Sequence, residues 1–174
     1  MFRRFYPRLY TDSTFAVDYG ALIRKGVSGL IFDLDNTLAP YDMPLPGEEI
    51  RALIDKLRGM GFSICILSNN SGGRVKIFAD SLGVRYVSKA KKPSPAGVHN
   101  ALELMGKTTG EIALIGDQMF TDIWCGNRAG AYTILVAPLT GRDEWTVRLK
   151  RPFEKIVFTF YKRYSKRREG ESAE

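Results

Sequence analysis

Five short apolar runs, each separated from the next by a stretch of helical character, constrain this chain more than any other feature. The runs are Gly29–Asp33, Phe62–Leu67, Arg85–Ser88, Ile112–Gly116 and Tyr132–Val136. Leu30-Ile31-Phe32 and Ile64-Cys65-Ile66-Leu67 are apolar without alternation, the pattern of strands covered on both faces. Pro46 suits the first position of a helix that carries Glu48 and Glu49 in its first turn. Ile50, Leu53, Ile54 and Leu57 then recur at helical spacing, and Gly59 and Gly61 release the chain into the next strand. Residues 73–82, 94–105 and 120–129 predict three more helices. Strands alternating with helices give an α/β fold, a three-layer Rossmann-like sandwich around a mainly parallel five-stranded sheet.

At 174 residues the chain is long enough to bury a core without disulfides. Cys65 and Cys125 stand far apart in apolar or helical surroundings and read as buried thiols; with one histidine, a zinc cluster is excluded. No apolar stretch has the length of a transmembrane helix and the first residues lack a signal-peptide pattern, which predicts a cytoplasmic protein. The net charge of +7 is unevenly placed. Residues 1–10, a basic and aromatic segment, hold three arginines and no acid, and residues 148–174 hold nine Lys or Arg against four Glu. The intervening 11–147 is nearly neutral. The chain therefore divides into a domain over 1–147, with its basic start, and a basic amphipathic tail over 148–174.

In a parallel sheet, ligands bind beyond the carboxyl ends of the strands. The polar residues at those ends form a coherent set. The first run leads into Asp33-Leu34-Asp35-Asn36-Thr37 and the second into Ser68-Asn69-Asn70. Lys89, Lys91 and Lys92 follow the third, and Gly116-Asp117, with Asp122 five residues on, ends the fourth. Crowded carboxylates need a hard divalent cation, and Mg²⁺ suits an all-oxygen set. A carboxylate nucleophile divides phosphoester hydrolysis into two easier steps, and a second carboxylate serves the leaving oxygen and then the water. Hydroxyl, amide and ammonium donors such as Ser68, Asn69 and a lysine would neutralise the transferred phosphoryl. Taken singly, each of these short motifs is an ordinary polar turn; together they fill every role that phosphoryl transfer requires.

Asp33-Leu34-Asp35-Asn36-Thr37, Ser68, Lys92-Pro93 and Gly116-Asp117-Gln118-Met119-Phe120-Thr121-Asp122 resemble, in order, the four motifs of the haloacid dehalogenase (HAD) superfamily. The resemblance implies Asp33 as nucleophile and metal ligand, and Asp35 as acid and base with its backbone carbonyl on the metal. It implies Ser68 orienting the phosphoryl oxygens, Lys92 balancing charge, Asp117 completing the Mg²⁺ site, and Asp122 supporting the metal shell or Lys92. Lys89 and Lys91 compete with Lys92 for the motif position, and the Lys-Pro pair favours Lys92. The DLDNTL motif from Asp33, the GDQMFTD motif from Gly116, the short chain and the start Tyr6-Pro7-Arg8-Leu9-Tyr10 are together similar to the YqeG-type HAD IIIA phosphatases, themselves similar to the mitochondrial phosphatidylglycerophosphate phosphatases. That likeness implies removal of the terminal phosphate of phosphatidylglycerophosphate.

Only 33 residues separate Asp35 from Ser68, and 24 separate Ser68 from Lys92, so neither interval has room for a cap domain over the site. A capless HAD fold is open and suits a phosphate carried on a macromolecule or a membrane surface. Phe153, Ile156, Val157, Phe160 and Tyr164 fall on one side of a helix with Lys155, Lys162, Arg163 and Lys166 on the other. Three uses remain open: peripheral attachment to anionic phospholipid on the inner face of the membrane, packing against the sheet, or contact with RNA. The alternatives to a lipid phosphatase are a phosphatase of phosphoprotein or nucleic-acid ends, and a basic RNA- or ribosome-associated binding protein.

Overall fold

The computed structural model describes residues 2–140 and 151–171. Six strands run in chain order: β1 (Leu9–Thr11), β2 (Gly29–Phe32), β3 (Ser63–Leu67), β4 (Arg85–Val87), β5 (Ile112–Gly116) and β6 (Tyr132–Val136). They form one sheet in the order β1-β6-β5-β2-β3-β4, every pairing parallel. The sheet thus has six strands where the apolar runs predict five. The extra one is β1, whose Leu9, Tyr10 and Thr11 pair with Ile134, Leu135 and Val136. Three mixed residues carry no strand signal of their own; the open edge of β6 makes them a strand.

Helices α1 (Tyr19–Arg24), α2 (Glu48–Gly59), α3 (Gly72–Leu82), α4 (Ala96–Met105) and α5 (Trp124–Ala129) connect the strands, and α6 (Arg151–Glu171) follows. The strands explain the uninterrupted apolar runs. Leu30, Phe32, Ile64, Ile66, Ala113 and Ile115 join the core that includes Ile54 and Leu57 of α2 and Val75 and Phe78 of α3. Ile31, Cys65, Leu67, Ile112 and Leu114 point the other way, onto Val98 and Ala101 of α4 and Cys125 of α5. Side chains alternate across the sheet while both sets are buried, so hydrophobicity does not alternate.

A third cluster lies outside the sheet's far end. Val157 and Tyr161 of α6 are buried with Met119, Ile123 and Leu135, and Phe5, Tyr6, Tyr10, Phe120 and Phe158 pack around them. Tyr6 meets Tyr161 edge-on at 5.6 Å, and Tyr10 meets Phe158 at 4.8 Å. Glu154 is buried and accepts a hydrogen bond from the Phe120 backbone N–H (3.0 Å). Of the five residues on the stripe that helical spacing selects, Val157 alone is buried; Phe153, Ile156 and Phe160 are exposed and Tyr164 is half-buried. The boundary at 147/148 lies outside the described residues. No helix among the described residues is long and apolar enough to cross a membrane.

This packing predicts opposite outcomes for neighbouring substitutions. Val157→Asp buries an uncompensated charge and should cost about 3–5 kcal/mol in urea unfolding. Ile156→Asp, on the exposed side, should stay within about 0.5 kcal/mol of the parent. Equal losses would mean that α6 is seated differently.

Candidate active site

The strand order reverses direction between β2 and β5, so the loops that leave these two adjacent strands open a crevice at their carboxyl ends. Phe32 pairs with Ile115, and the Asp33 N–H donates to the Ile115 carbonyl (2.9 Å), which sets Asp33 beside Gly116-Asp117. The chain then makes one π-helical turn, Met119–Ile123, that brings Asp122 back against the strand end. A Cβ on Gly116 would lie 2.5 Å from the Asp122 side chain, so only glycine admits this return. One carboxylate oxygen each from Asp33, Asp117 and Asp122 lie within 4.8 Å of one another, and all three residues are buried.

Lys92 answers that concentration of charge. Its ammonium donates to Asp33 Oδ1 (2.5 Å), Asp122 Oδ1 (2.7 Å) and the Leu67 carbonyl (3.1 Å). Burial acts to lower the ammonium's pKa, but Asp122 and Asp33 outweigh it and hold the value above that of an ordinary lysine. Burial pushes the Asp33 carboxyl well up; Lys92 opposes the rise, while Asp122 and Asp117 add to it. Lys89 and Lys91 are exposed, so the lysine of the cluster is Lys92.

The remaining residues divide between the cluster and its supports. Asp122 Oδ2 accepts from the Gln118 N–H (3.0 Å), so both oxygens of Asp122 are engaged, one on Lys92 and one on backbone. Asp117 Oδ1 accepts from the Thr37 hydroxyl (3.4 Å). Ser68 is buried at the end of β3, its Oγ accepting from the Asn70 N–H (3.1 Å). Asn69 clamps the Lys92 backbone at both ends, receiving its N–H (2.7 Å) and donating to its carbonyl (3.1 Å). The Asp35 carboxylate stands apart from the cluster, paired with Arg74 and accepting from Asn70 Nδ2 (2.8 Å). Burial raises its pKa, against the pull of Arg74. Asn70 belongs to the polar turn that ends β3, but Arg74 has no mark in the sequence; an arginine in the first turn of a helix gives no signal until the fold sets it over Asp35.

The donor set fits a hard divalent cation. Asp33 Oδ2 is buried with no hydrogen-bond partner, and an Asp117 carboxylate oxygen lies within 4.8 Å of the Asp33 carboxylate. An orphaned carboxylate oxygen in an all-oxygen cluster is what such an ion would satisfy. Asp33 and Asp117 are the side chains best placed to hold it, since Asp122 is committed to Lys92.

A family model described as HAD-hydrolase-like matches residues 89–157. The chain is 33% identical over 164 residues to the "probable phosphatase YqeG" of Bacillus subtilis, covering 94% of this chain and 95% of that one. It is 35% identical over 139 residues to phosphatidylglycerophosphate phosphatase 1, chloroplastic/mitochondrial, of Arabidopsis thaliana; the match takes in 74% of this chain and 39% of that protein. Among solved structures, NagD from Escherichia coli shares the fold at a TM-score of 0.53 and 16% identity, over 70% of this chain and 91% of that one.

The charge arrangement makes a stability prediction with a definite sign. The Asp33 carboxyl titrates higher in the folded protein than in the unfolded chain, so its ionisation opposes folding. Without divalent cation, the wild type should therefore lose stability relative to Asp33→Asn as pH rises from the unfolded-state value through the folded one. The variant should melt higher at neutral pH, by about 2–4 °C for each kcal/mol relieved. Melting curves in chelator between pH 4 and 8 test this; a wild type that gains on the variant as pH rises would refute it.

Proposed function

Because this chain belongs to the YqeG-type phosphatases of the HAD superfamily, we propose that it is a Mg²⁺-dependent phosphomonoester hydrolase acting through an aspartyl-phosphate on Asp33, with phosphatidylglycerophosphate as substrate. The observation that carries the reading is Asp33 itself: one carboxylate oxygen held by Lys92, the other buried and unpartnered at the crevice. In the first step that free oxygen attacks phosphorus while the ester P–O bond breaks, and Asp35 gives its proton to the departing alkoxide. In the second, water attacks the same phosphorus, Asp35 takes the proton, and the bond to Asp33 breaks to release inorganic phosphate. The raised Asp35 carboxyl favours the acid form that the first step needs. The bound cation would neutralise charge on the phosphoryl oxygens. Ser68 hydrogen-bonds the transferred group, Asn69 fixes Lys92, and Lys92 offsets the charge of Asp33 and Asp122.

Two observations favour a lipid as the phosphate's carrier, beside the activity named for the Arabidopsis relative. Between Asp35 and Ser68 lie only a loop, α2 and the strand β3, and between Ser68 and Lys92 only α3 and β4, so the crevice has no inserted cap. The outer side of α6 exposes Phe153, Ile156 and Phe160, with Phe2 stacked on Phe160 at 5.6 Å and Lys155, Lys162, Arg163 and Lys166 exposed beside them. Apolar and basic groups on one surface suit the headgroup region of an anionic bilayer, from the cytoplasmic side.

A phosphate-release panel tests the assignment. With Mg²⁺, vesicles containing phosphatidylglycerophosphate should be hydrolysed in preference to phosphopeptides, phosphorylated oligonucleotides and sugar phosphates. Asp33→Asn should abolish turnover. Asp35→Asn should lower kcat by about 10²–10⁴ with an unchanged Mg²⁺ requirement, and Asp117→Ala should raise the Mg²⁺ needed for half-maximal rate. Preference for oligonucleotide ends would overturn the lipid substrate, and an active Asp33→Asn protein the mechanism.

A further inference from the structure

The basic and aromatic start of the chain has no part in the catalytic cluster. It forms one wall of a cleft of about 630 Å³ at the amino ends of β1 and β6, the opposite end of the sheet from the crevice. Arg3, Arg4 and Arg8 line the cleft with Tyr6, Tyr161 and Tyr164, and no Asp or Glu does so among the described residues. The three arginines are exposed, and the ion pairs of the described residues include none of them. Their backbone is firmly held. Asn127 Nδ2 donates to the carbonyls of Arg4 (2.8 Å) and Tyr6 (3.0 Å), while its Oδ1 accepts from the Thr133 hydroxyl (2.9 Å). The Arg8 N–H donates to the Thr133 carbonyl (2.9 Å). The Arg3 guanidinium lies 5.2 Å from the centre of the Tyr164 ring, and that of Arg4 lies 5.1 Å from Phe5 and 5.7 Å from Trp124. A guanidinium resting on a ring keeps its N–H edge for an anion. The end of α5 borders the cleft and its carbonyls oppose negative charge, but those of Gly126 and Asn127 are taken by the N–H groups of Ala131 and Gly130.

We propose that this cleft is a second phosphate site, which holds the phosphodiester headgroup of an anionic phospholipid as a ligand and not as a substrate. Guanidiniums without a lining acid suit a phosphate, which they bind through paired hydrogen bonds. The volume is that of a small-molecule site and admits one headgroup; a single-stranded nucleic acid is met instead by charge spread along a groove. The lipid follows from what adjoins the cleft. Phe2, next to Arg3, stacks on Phe160 at 5.6 Å, one helical turn before Tyr164, and both rings are exposed. Helix α6 joins the two sites, from Glu154 on the Phe120 N–H beside the catalytic cluster to Tyr164 in the cleft, a rise of roughly 15 Å. With the outer side of α6 on a bilayer, one end of the helix presents the crevice and the other the cleft. A lipid held in the cleft would then fix the pose in which the crevice meets its substrate. The identity of the ligand rests on the membrane reading given above, and the phosphate site on the arginines alone.

Two probes test this on the full chain without Mg²⁺. One is glycerophosphoglycerol, the soluble phosphodiester headgroup of phosphatidylglycerol, followed by ligand-observed NMR titration. The other is flotation with phosphatidylcholine vesicles, with and without phosphatidylglycerol. Neither probe is a phosphomonoester, so turnover does not enter. The wild type should bind the headgroup saturably and float only with phosphatidylglycerol. Arg4→Gln with Arg8→Gln should abolish headgroup binding and weaken vesicle binding by more than the roughly fivefold per cation that diffuse attraction gives. Lys162→Gln with Lys166→Gln, an equal loss of charge outside the cleft lining, should keep headgroup binding and stay within that fivefold per cation. Arg8→Gln alone replaces the arginine pair if the latter melts early. No headgroup binding by the wild type, or equal losses in the two paired variants, would overturn the site; vesicle binding that persists in that case leaves the membrane reading standing. Headgroup binding lost with the arginines, but no binding to any vesicle, would overturn the lipid and the membrane reading together in favour of a soluble phosphodiester. Binding of a short single-stranded RNA in preference to both probes, lost in the arginine variant, would overturn the lipid in favour of nucleic acid.

Discussion

One buried ammonium makes this site feasible. Asp33, Asp117 and Asp122 are gathered where water cannot screen them, and carboxylates so placed repel one another strongly. Lys92 lies between Asp33 and Asp122 and binds the Leu67 carbonyl as well. It therefore ties the ends of β2 and β3 to the turn after β5. Removing it would leave uncompensated buried charge, among the costliest changes a fold can suffer. The other local features serve its placement. Asn69 grips its backbone from both sides, and the absent Cβ of Gly116 lets Asp122 come within reach.

The arrangement also divides labour among the carboxylates. Asp122 spends both oxygens within the protein, so it acts as scaffold. Asp33 spends one and keeps one, which leaves it both anchored and available. Asp35 sits apart, held by Arg74 and Asn70, and Arg74 reaches on to the carbonyls of Pro40 and Met43. The loop after β2 and the start of α3 thus meet at Asp35. Its carboxyl responds to an arginine as well as to burial, whereas Asp33 responds to burial, Lys92 and its acidic neighbours. Two aspartates two residues apart acquire different protonation behaviour from different surroundings, a difference that the proposed roles would draw on.

Much of this was legible in the sequence because it depends on local pattern. Apolar runs without alternation report strands buried on both faces, and polar residues that end such runs must lie on one edge of a parallel sheet. That pattern places Asp33, Ser68, Asp117 and one of Lys89, Lys91 and Lys92 together; the choice of Lys92 comes from the resemblance to the HAD motifs. Features fixed by tertiary partners were not legible. Leu9–Thr11 is a strand only because β6 offers an edge, and Arg74 matters only because α3 sets it above Asp35. Asn69 follows Ser68 in a polar turn, yet its amide turns to the Lys92 backbone. In α6, spacing selects the most apolar stripe, but the aromatic cluster it meets accepts only Val157 from that stripe, together with Glu154 and Tyr161 from beside it. A periodic pattern says that a helix has an apolar side; the neighbour decides which side is used.

The pairing of Leu9 with Ile134 and the contact of Tyr10 with Phe158 have a bearing on the order of assembly. During synthesis, β2 through β5 and their helices can associate once about 125 residues have emerged, since their partners are mostly near in sequence. The edge strand must wait for β6, and the aromatic layer over it must wait for α6. Contacts spanning so much chain form late, because loop closure has to precede any gain from them. Until then the edge of β6 is bare and the wall beside Asp117 is unfinished. The carboxylate cluster is thus complete before the aromatic layer beside it, and a nascent polypeptide gathers its buried charges before it closes the edge of its sheet.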